Sequence, residues 1–188
     1  MLPEIKNHLI SSADFRESPN CSARPPGVQV MLMVIHNISL PPGRFGGPHI
    51  INFFQNKLEV SADEYFEGIK NLKVSSHLLI DRRGRITQFV PFNKNAWHAG
   101  VSHYQGQENC NDFSIGIEME GTDSINYTTK QYESLKDVTL SLMKAYPGIT
   151  LDNIVGHSDI APDRKTDPGF TGICLPVWRY IRVTNDII

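Results

Sequence analysis

Two histidines, an aspartate, a glutamate and a lysine stand at spacings that could build a hydrolytic metal site. His157 and Asp167 lie ten positions apart in a polar stretch, residues 156–169. Pro162 and Pro168 stiffen this stretch because proline restricts its own backbone and that of the preceding residue. A loop rich in Pro, Asp and Gly is by itself usually a turn. A site therefore requires matching chemistry elsewhere in the chain.

Matching chemistry follows the most apolar run of the sequence, residues 28–35. This run predicts a strand buried on both faces, and His36 stands at its end, where side chains can converge on a crevice. His36, His157 and Asp167 supply the three protein ligands of a catalytic zinc site, whose fourth position is left for water. Two neutral imidazoles and one carboxylate leave the bound ion positive, which lowers the pKa of the bound water.

Other histidines compete for these ligand positions. His77 and His98 are suitable by residue type, and His8, His49 and His103 are not excluded by their spacing. Neither a His-Glu-x-x-His helix nor a pair of cysteines singles out the ligands. For each histidine the alternative is a structural, hydrogen-bonded imidazole.

Residues 113–120 alternate between apolar and polar side chains, which predicts a strand. We expect Phe113 to share the apolar face with the alternate residues that follow it. Glu118 lies on the other face, and if that face is covered, its carboxylate points into a cleft. Gly116 on the same face would leave room for a ligand. Glu120 is expected on a solvated part of the face.

Glu118 and Lys165 could complete the chemistry of a zinc hydrolase. Glu118 is placed to take a proton from water and pass it to a leaving amine, first as a base and then as an acid. Lys165, two residues before Asp167, could stabilise the oxyanion of a tetrahedral intermediate. The alternative for Lys165 is a solvent-facing lysine.

The remaining pattern predicts an α/β (α+β) fold, a mixed β-sheet flanked by helices. One long helix is expected from a capping box at Thr128 and Gln131 to about Ala145, and a short helix from a second box at Ser61 and Glu64. The other predicted elements are a short helix after Pro48, strands at 74–80 and 86–90 around a turn at 81–85, a strand beginning at Ile154, and a last helix near 178–181.

The length of 188 residues and the ordinary composition, 40% hydrophobic and 20% charged, predict a single globular domain. Residues 1–26 would form an N-terminal arm and residues 170–188 a C-terminal segment. A net charge of −2 argues against nucleic acid as a partner, and no apolar run is long enough to span a membrane.

The sequence also suggests a compartment. Its three cysteines, Cys21, Cys110 and Cys174, are widely spaced and are typical of free thiols in a reducing compartment. The N-terminus lacks a basic region followed by an apolar core, so it does not resemble a secretory signal. We therefore expect a cytoplasmic protein, and a monomer.

Five stretches, taken in order, resemble the zinc N-acetylmuramoyl-L-alanine amidase family: residues 33–37, 74–77, 96–100, 111–121 and 156–169. The family fold is a mixed sheet with flanking helices, shared with phage amidase lysozymes and peptidoglycan recognition proteins. The resemblance implies that His36, His157 and Asp167 bind Zn²⁺ and that Glu118 and Lys165 are catalytic. The implied substrate is an anhydromuropeptide, cleaved between the muramoyl sugar and L-alanine during cell-wall recycling.

The resemblance also suggests the residues that line the substrate cleft: Asn37, Lys73, Trp97 and Arg164. Lys73 stands where the family often has arginine, so it would meet a substrate carboxylate as a point charge, without a bidentate fork. Residues 170–178 depart from the family in length and composition, which puts the packing of the C-terminus in doubt.

Three other functions stay open on the sequence alone. The chain could be an amidase that acts on intact peptidoglycan, either exported or encoded by a phage. It could be a muropeptide-binding module without catalysis, although the presence of Asp167, Glu118 and Lys165 argues against this. It could also be an unrelated zinc hydrolase, such as a peptidase.

Overall fold

A computed structural model describes residues 2–169 of the chain. The strands of this part are β1 (Ile5–Lys6), β2 (Leu9–Ile10), β3 (Asp14–Phe15), β4 (Cys21–Ala23), β5 (Leu32–Ile38), β6 (Leu78–Ile80), β7 (Ile86–Gln88), β8 (Lys94–Ala96), β9 (His103–Tyr104), β10 (Gln107–Glu108), β11 (Ser114–Glu120) and β12 (Ile154–Gly156). The α-helices are α1 (His49–Phe54), α2 (Tyr65–Ile69), α3 (Thr129–Ala145) and α4 (His157–Ile160), and short 3₁₀ turns occur at Val60–Ala62, Cys110–Asp112 and Leu151–Asn153. The helix predicted near 178–181 and the C-terminal segment 170–188 lie outside the described residues.

A six-stranded mixed sheet, in the order β12-β5-β11-β6-β7-β3, forms the centre of the described chain. The four strands from β12 to β6 run parallel, whereas β7 is antiparallel to β6. Carboxyl ends of parallel strands meet at one edge of a sheet, and ligands commonly bind there. The predicted α/β (α+β) class with a mixed, helix-flanked sheet is confirmed.

Helix α3 covers one face of the sheet. Its Leu135, Val138 and Leu142 are buried against Ile115 and Ile117 of β11. The predicted start is confirmed: the Thr128 hydroxyl accepts a hydrogen bond from the Gln131 amide, and the Gln131 side chain accepts one from the Thr128 amide. The apolar face of this long helix therefore supports the sheet from the side that carries no catalytic candidate.

The opposite face is covered by α1, α2 and loops, and two of our predictions for it are wrong. Phe113 does not share a face with Ile115, because β11 begins only at Ser114 and Phe113 packs instead with Leu32 and Val34. Glu120 is not solvated: it is 3% exposed, and its carboxylate accepts hydrogen bonds from backbone amides of two neighbouring loops. That carboxylate joins the loops, which is a structural role.

The predicted capping box at Ser61 and Glu64 is also wrong. Ser61 lies inside the 3₁₀ turn, and Glu64 precedes α2 without a side-chain cap; Asp63 instead accepts a hydrogen bond from the Tyr65 amide at 3.1 Å. None of the described helices is long and apolar enough to cross a membrane.

The N-terminal residues do more than lie over the domain. Strand β3 pairs with β7 and extends the central sheet, and β4 pairs with β8. The Arg24 guanidinium donates hydrogen bonds to the carbonyls of Phe92, Asp112 and Ser114. This arginine therefore joins the N-terminal region to the start of β11.

Candidate active site

The strand register places the candidate residues side by side at the carboxyl edge of the sheet. Glu118 of β11 is the direct partner of His36 on β5, and Gly156 of β12 is the partner of Ile35. His157, the next residue and the first of α4, consequently comes level with His36. Both imidazoles are buried, with exposures of 1% for His36 and 3% for His157.

His36, His157 and Asp167 form a compact cluster of potential metal ligands. The Nδ1 atoms of the two histidines are 2.9 Å apart, and Oδ2 of Asp167 lies 3.3 Å from the first and 3.1 Å from the second. A tetrahedral Zn²⁺ with bonds of about 2.0–2.1 Å places neighbouring ligand atoms about 3.3 Å apart. The three atoms therefore fit one small divalent cation.

The electrostatics of the cluster also suit a cation. Burial lowers the pKa of His36 to about 4, so its imidazole is neutral and has a free nitrogen lone pair. Burial alone would raise the pKa of Asp167, but hydrogen bonds with His157 and His36 outweigh it and hold the pKa well below its usual range. A neutral imidazole and an ionised carboxylate are the donor forms that metals require.

A second layer of hydrogen bonds orients both imidazoles. Nε2 of His157 donates to the carbonyl of Ala99 at 3.1 Å, which orients the ring so that its Nδ1 faces the cluster. Nε2 of His36 lies 2.9 Å from Nδ1 of His98, whose own Nε2 lies 3.1 Å from the Ser114 hydroxyl. These contacts direct Nδ1 of His36 at the cluster, and with its proton on Nε2 the ring would present a lone pair there, as is usual for histidines that bind metals.

His98 occupies the space that the sequence suggested for a ligand beside Gly116. A Cβ at position 116 would lie 2.4 Å from Cγ of the His98 ring. The glycine therefore makes room for a second-layer imidazole, and our expectation that it faces a ligand is wrong. Burial and the neighbouring His36 hold the pKa of His98 well below its usual range.

His77 is a structural histidine. It is 0% exposed; its Nδ1 accepts a hydrogen bond from the Gly116 amide at 3.0 Å, and its Nε2 donates to the Lys94 carbonyl at 3.1 Å. Burial lowers its pKa to about 3. Among residues 2–169, the competing histidines thus do not join the cluster of potential metal ligands, which consists of His36, His157 and Asp167.

Glu118 meets the requirements of a general base. It is 9% exposed and lines the cleft above the cluster, and within residues 2–169 its Oε2 has no hydrogen-bond partner. Burial raises the pKa of Glu118 well above its usual range, Asp167 raises it further, and Lys165 opposes the shift. A carboxyl group of raised pKa beside a reaction centre can both accept and return a proton.

The cleft has a volume of about 380 Å³ and two kinds of wall. His36, Glu118, His157, Lys165 and Asp167 supply polar groups to its lining. Its rim is apolar and includes the exposed side chains of Tyr65, Leu72 and Trp97. An adjoining cavity of about 320 Å³ has three cationic side chains in its lining, which includes Lys73, Trp97, Arg164 and Lys165.

The four residues suggested for substrate binding all line one or both cavities: Asn37, Lys73, Trp97 and Arg164. Three of them already have hydrogen-bond partners, and Nε1 of Trp97 donates to the Ser22 hydroxyl at 3.3 Å. The Asn37 amide donates to Asp123 at 2.7 Å, and Nη2 of Arg164 donates to the carbonyls of Ala99 and Val101 at 2.7 and 2.8 Å. Sequence reasoning missed Asp123 and the orienting role of His98, for which only the alternation around Gly116 offered a signal.

A parallel-strand edge that brings together two buried histidines, an aspartate and a buried glutamate whose Oε2 has no hydrogen-bond partner within residues 2–169 defines a candidate metallohydrolase. Residues 26–170 match the family described as N-acetylmuramoyl-L-alanine amidase, and the chain belongs to this family. The chain is accordingly an amidase, and the family predicted from the sequence is confirmed.

Individual relatives match nearly the whole chain. It is 57% identical over 169 residues to the 1,6-anhydro-N-acetylmuramyl-L-alanine amidase AmpD of Salmonella typhimurium strain SL1344, covering 90% of this chain and 89% of the relative. The AmpD of Haemophilus influenzae is 51% identical over 168 residues, covering 89% and 91%.

Solved structures agree with the sequence relatives. The crystal structure of a selenomethionine AmpD derivative has a TM-score of 0.88 at 50% identity and covers 95% of this chain and 97% of that one. The amidase AmiD of Escherichia coli, in complex with anhydro-N-acetylmuramic acid-L-Ala-D-γ-Glu-L-Lys, has a TM-score of 0.58 at 27% identity and covers 86% and 60%.

Proposed function

We propose that this chain hydrolyses the amide between a 1,6-anhydro-N-acetylmuramoyl sugar and the L-alanine of its stem peptide, with one Zn²⁺ held by His36, His157 and Asp167. The observation that carries the proposal is the meeting of this cluster, in one cleft, with the carboxylate of Glu118, whose Oε2 has no hydrogen-bond partner among the described residues. Extensive identity to AmpD proteins supports the choice of the anhydro substrate.

Zinc, when bound, polarises a carbonyl and lowers the pKa of water, and the side chains around it supply the proton transfers. Glu118 accepts the proton of the water that attacks the lactyl carbonyl carbon. The same carboxyl group returns that proton to the alanine nitrogen as the C–N bond breaks, so the leaving group departs as a neutral amine. Lys165 donates a hydrogen bond to the oxyanion of the tetrahedral intermediate.

The different linings of the two cavities suggest how the substrate is oriented. We assign the sugar to the cleft with the apolar rim of Tyr65, Leu72 and Trp97, since sugar rings present apolar faces that pack on such side chains. The stem peptide carries carboxylates, and we assign these to the adjoining cavity with Lys73 and Arg164. Asn37 borders the sugar side, near the bond to be cleaved.

A comparison of two substrates tests the proposal. Purified protein is incubated with anhydromuramyl-tripeptide and, separately, with intact sacculi, each with and without a chelator, and the products are identified by mass spectrometry. We expect free tripeptide from the small substrate, loss of this product with the chelator and its recovery with added Zn²⁺. We expect no comparable release from sacculi.

Other outcomes would select a different function. Cleavage of sacculi at a comparable rate would identify an amidase of intact peptidoglycan. Binding of the muropeptide without cleavage by the zinc-loaded protein would identify a binding module. We further propose a cytoplasmic monomer, to be checked by fractionation of cells and by light scattering of the purified protein.

A further inference from the structure

The carboxylate of Asp123 links the two chain segments that carry His36 and Asp167. Asp123 lies in the turn that follows β11, at the same edge of the sheet as the ligand cluster. Its Oδ1 accepts a hydrogen bond from the Asn37 amide at 2.7 Å, and its Oδ2 accepts one from the Thr166 hydroxyl at 2.5 Å. Asn37 directly follows His36, and Thr166 directly precedes Asp167. Each oxygen of Asp123 is therefore bonded to the chain neighbour of a candidate ligand.

Backbone packing around Asp123 leaves little room for movement. Gly169 has a φ of +90°, and a Cβ at this position would lie 2.4 Å from Cα of Asp123. Just after this turn, the Tyr127 hydroxyl donates to the Pro168 carbonyl at 3.1 Å. The turn after β11 and the end of the ligand loop are thus in direct contact at Gly169 and are linked again at Pro168.

The ligand loop, residues 161–169, needs such contacts because no strand ladder holds it. It carries Lys165 and Asp167, while Arg164 and Thr166 are exposed. Hydrogen bonds to an ionised carboxylate are shorter and stronger than bonds between neutral groups. One carboxylate between Asn37 and Thr166 therefore fixes the distance between the loop and β5.

We propose that Asp123 is a positioning residue that clamps the ligand loop to β5 and so sets the spacing of Asp167 and His36. The clamp also orients Asn37: because its Nδ2 is bonded to Asp123, the amide presents its oxygen to the cleft as an acceptor for a substrate N–H. The inference rests on the proposed function insofar as the clamped cluster is a zinc site. Partners outside the ligands commonly change metal affinity by about 10- to 100-fold.

The test measures zinc affinity by competition with a chelator of known affinity, in Asp123→Asn, Thr166→Val and Thr166→Ser. We expect the dissociation constant to rise about tenfold or more in the first two variants, since each loses a bond of the clamp. Thr166→Ser keeps the hydroxyl and should bind zinc like the wild type. In turnover of the muropeptide, Asp123→Asn should also raise KM through the misoriented Asn37.

Asp81→Asn is the matched control. Asp81 is likewise a turn aspartate whose carboxylate accepts several hydrogen bonds, from the Arg83 and Arg85 amides and the Arg85 side chain, but it lies in the hairpin between β6 and β7. Its variant should lose thermal stability without losing zinc affinity. Equal zinc affinities in Asp123→Asn and Asp81→Asn would overturn the proposal.

Hydrogen exchange of the metal-free protein separates the clamp from the proposed function. The Gly169 amide is bonded to the Thr166 carbonyl at 3.0 Å, so its exchange reports on the end of the loop. Faster exchange at Gly169 in Asp123→Asn than in Asp81→Asn supports the clamp even if the wild type binds no zinc. Unchanged exchange at Gly169 overturns it, whatever the metal content.

Discussion

The candidate site has a strand-borne half and a loop-borne half, and different kinds of contact hold them in place. His36 and Glu118 lie on neighbouring parallel strands whose backbone bonds fix them as register partners. Lys165 and Asp167 lie on a loop held by scattered bonds, such as Ser158 N–H to Asp167 O at 2.9 Å and Nη2 of Arg164 to Ala99 O at 2.7 Å. The strand-borne half is therefore held mainly by backbone hydrogen bonds, whereas the loop-borne half depends on individual side chains.

The largest effect is expected from removing the ligand of the loop-borne half. Asp167→Ala should lose bound zinc and about 10³-fold or more of turnover, since metal catalysis contributes several kcal/mol of transition-state stabilisation. Metal content by mass spectrometry and turnover of the muropeptide check this result. His36→Ala should lose both as well, but it should also lower the melting temperature more, because His36 is 1% exposed and packed in the sheet. Full zinc and full turnover in Asp167→Ala would remove Asp167 from the site.

Within the strand-borne half, Glu118 and Glu120 provide a matched pair on one strand and one face. Glu118→Gln should lower kcat by about 10²- to 10⁴-fold, the range for loss of a general base, with zinc content unchanged. Glu120→Gln should instead lower stability, because its carboxylate accepts hydrogen bonds from the Gly46 and Arg82 amides. Steady-state kinetics and thermal melts of both variants distinguish a loss of catalysis from a loss of stability. Equal losses of kcat would mean that Glu118 acts only through the fold.

The strand-borne half has one side-chain support, which is His98. His98→Ala should weaken zinc binding by about 10- to 100-fold, since it removes the hydrogen-bond partner of Nε2 of His36. His98→Asn keeps an acceptor oxygen near the Nδ1 position and should restore part of the affinity. Chelator competition measures both variants. If His98→Ala binds zinc as the wild type does, the strand alone orients His36, and the contrast between the halves becomes sharper.

The two halves also differed in how well the sequence predicted them. Strands β5 and β11 and helix α3 follow from apolar runs, alternation and a capping box, so the placement of His36 and Glu118 could be predicted. Phe113 and Glu120 were misplaced because alternation does not show where a strand begins or what covers its polar face. The family resemblance, rather than spacing, separated His36 from His77 and His98 as a candidate ligand.

The contacts of the loop-borne half correspond to no comparable pattern in the amino-acid sequence. An aspartate in a polar turn, such as Asp123, looks like any solvated residue, and its bonds to Asn37 and Thr166 join segments far apart in the chain. Gly116 was recognised as making space, yet the occupant of that space, His98, comes from a separate loop. Such pairings depend on the assembled fold, which local propensity does not describe.

The smallest effect is expected at His77, which tests how far the rigidity of the strand-borne half depends on pH. Its Nδ1 acts as an acceptor for the Gly116 amide beside the ladder between β6 and β11, and this requires a neutral ring. Its pKa is lowered to about 3 by burial, against about 6.5 in the unfolded chain. Between about pH 6.5 and pH 3, the unfolded state therefore binds a proton at His77 that the folded state does not bind. The stability that the neutral His77 contributes above about pH 6.5 is consequently lost as the pH falls toward 3.

Denaturant titrations of the metal-free protein between pH 7 and pH 4 measure this loss. The contribution of one such group is at most about 1.4 kcal/mol per pH unit, or about tenfold in the folding equilibrium. His77→Asn keeps an acceptor for Gly116 but does not titrate, so it should be less stable than the wild type at pH 7 and should show a shallower decline toward pH 4. Parallel curves for the two proteins would show that His77 takes up its proton at the same pH in the folded and the unfolded state. In that case the strand-borne half would not need a neutral imidazole for its register.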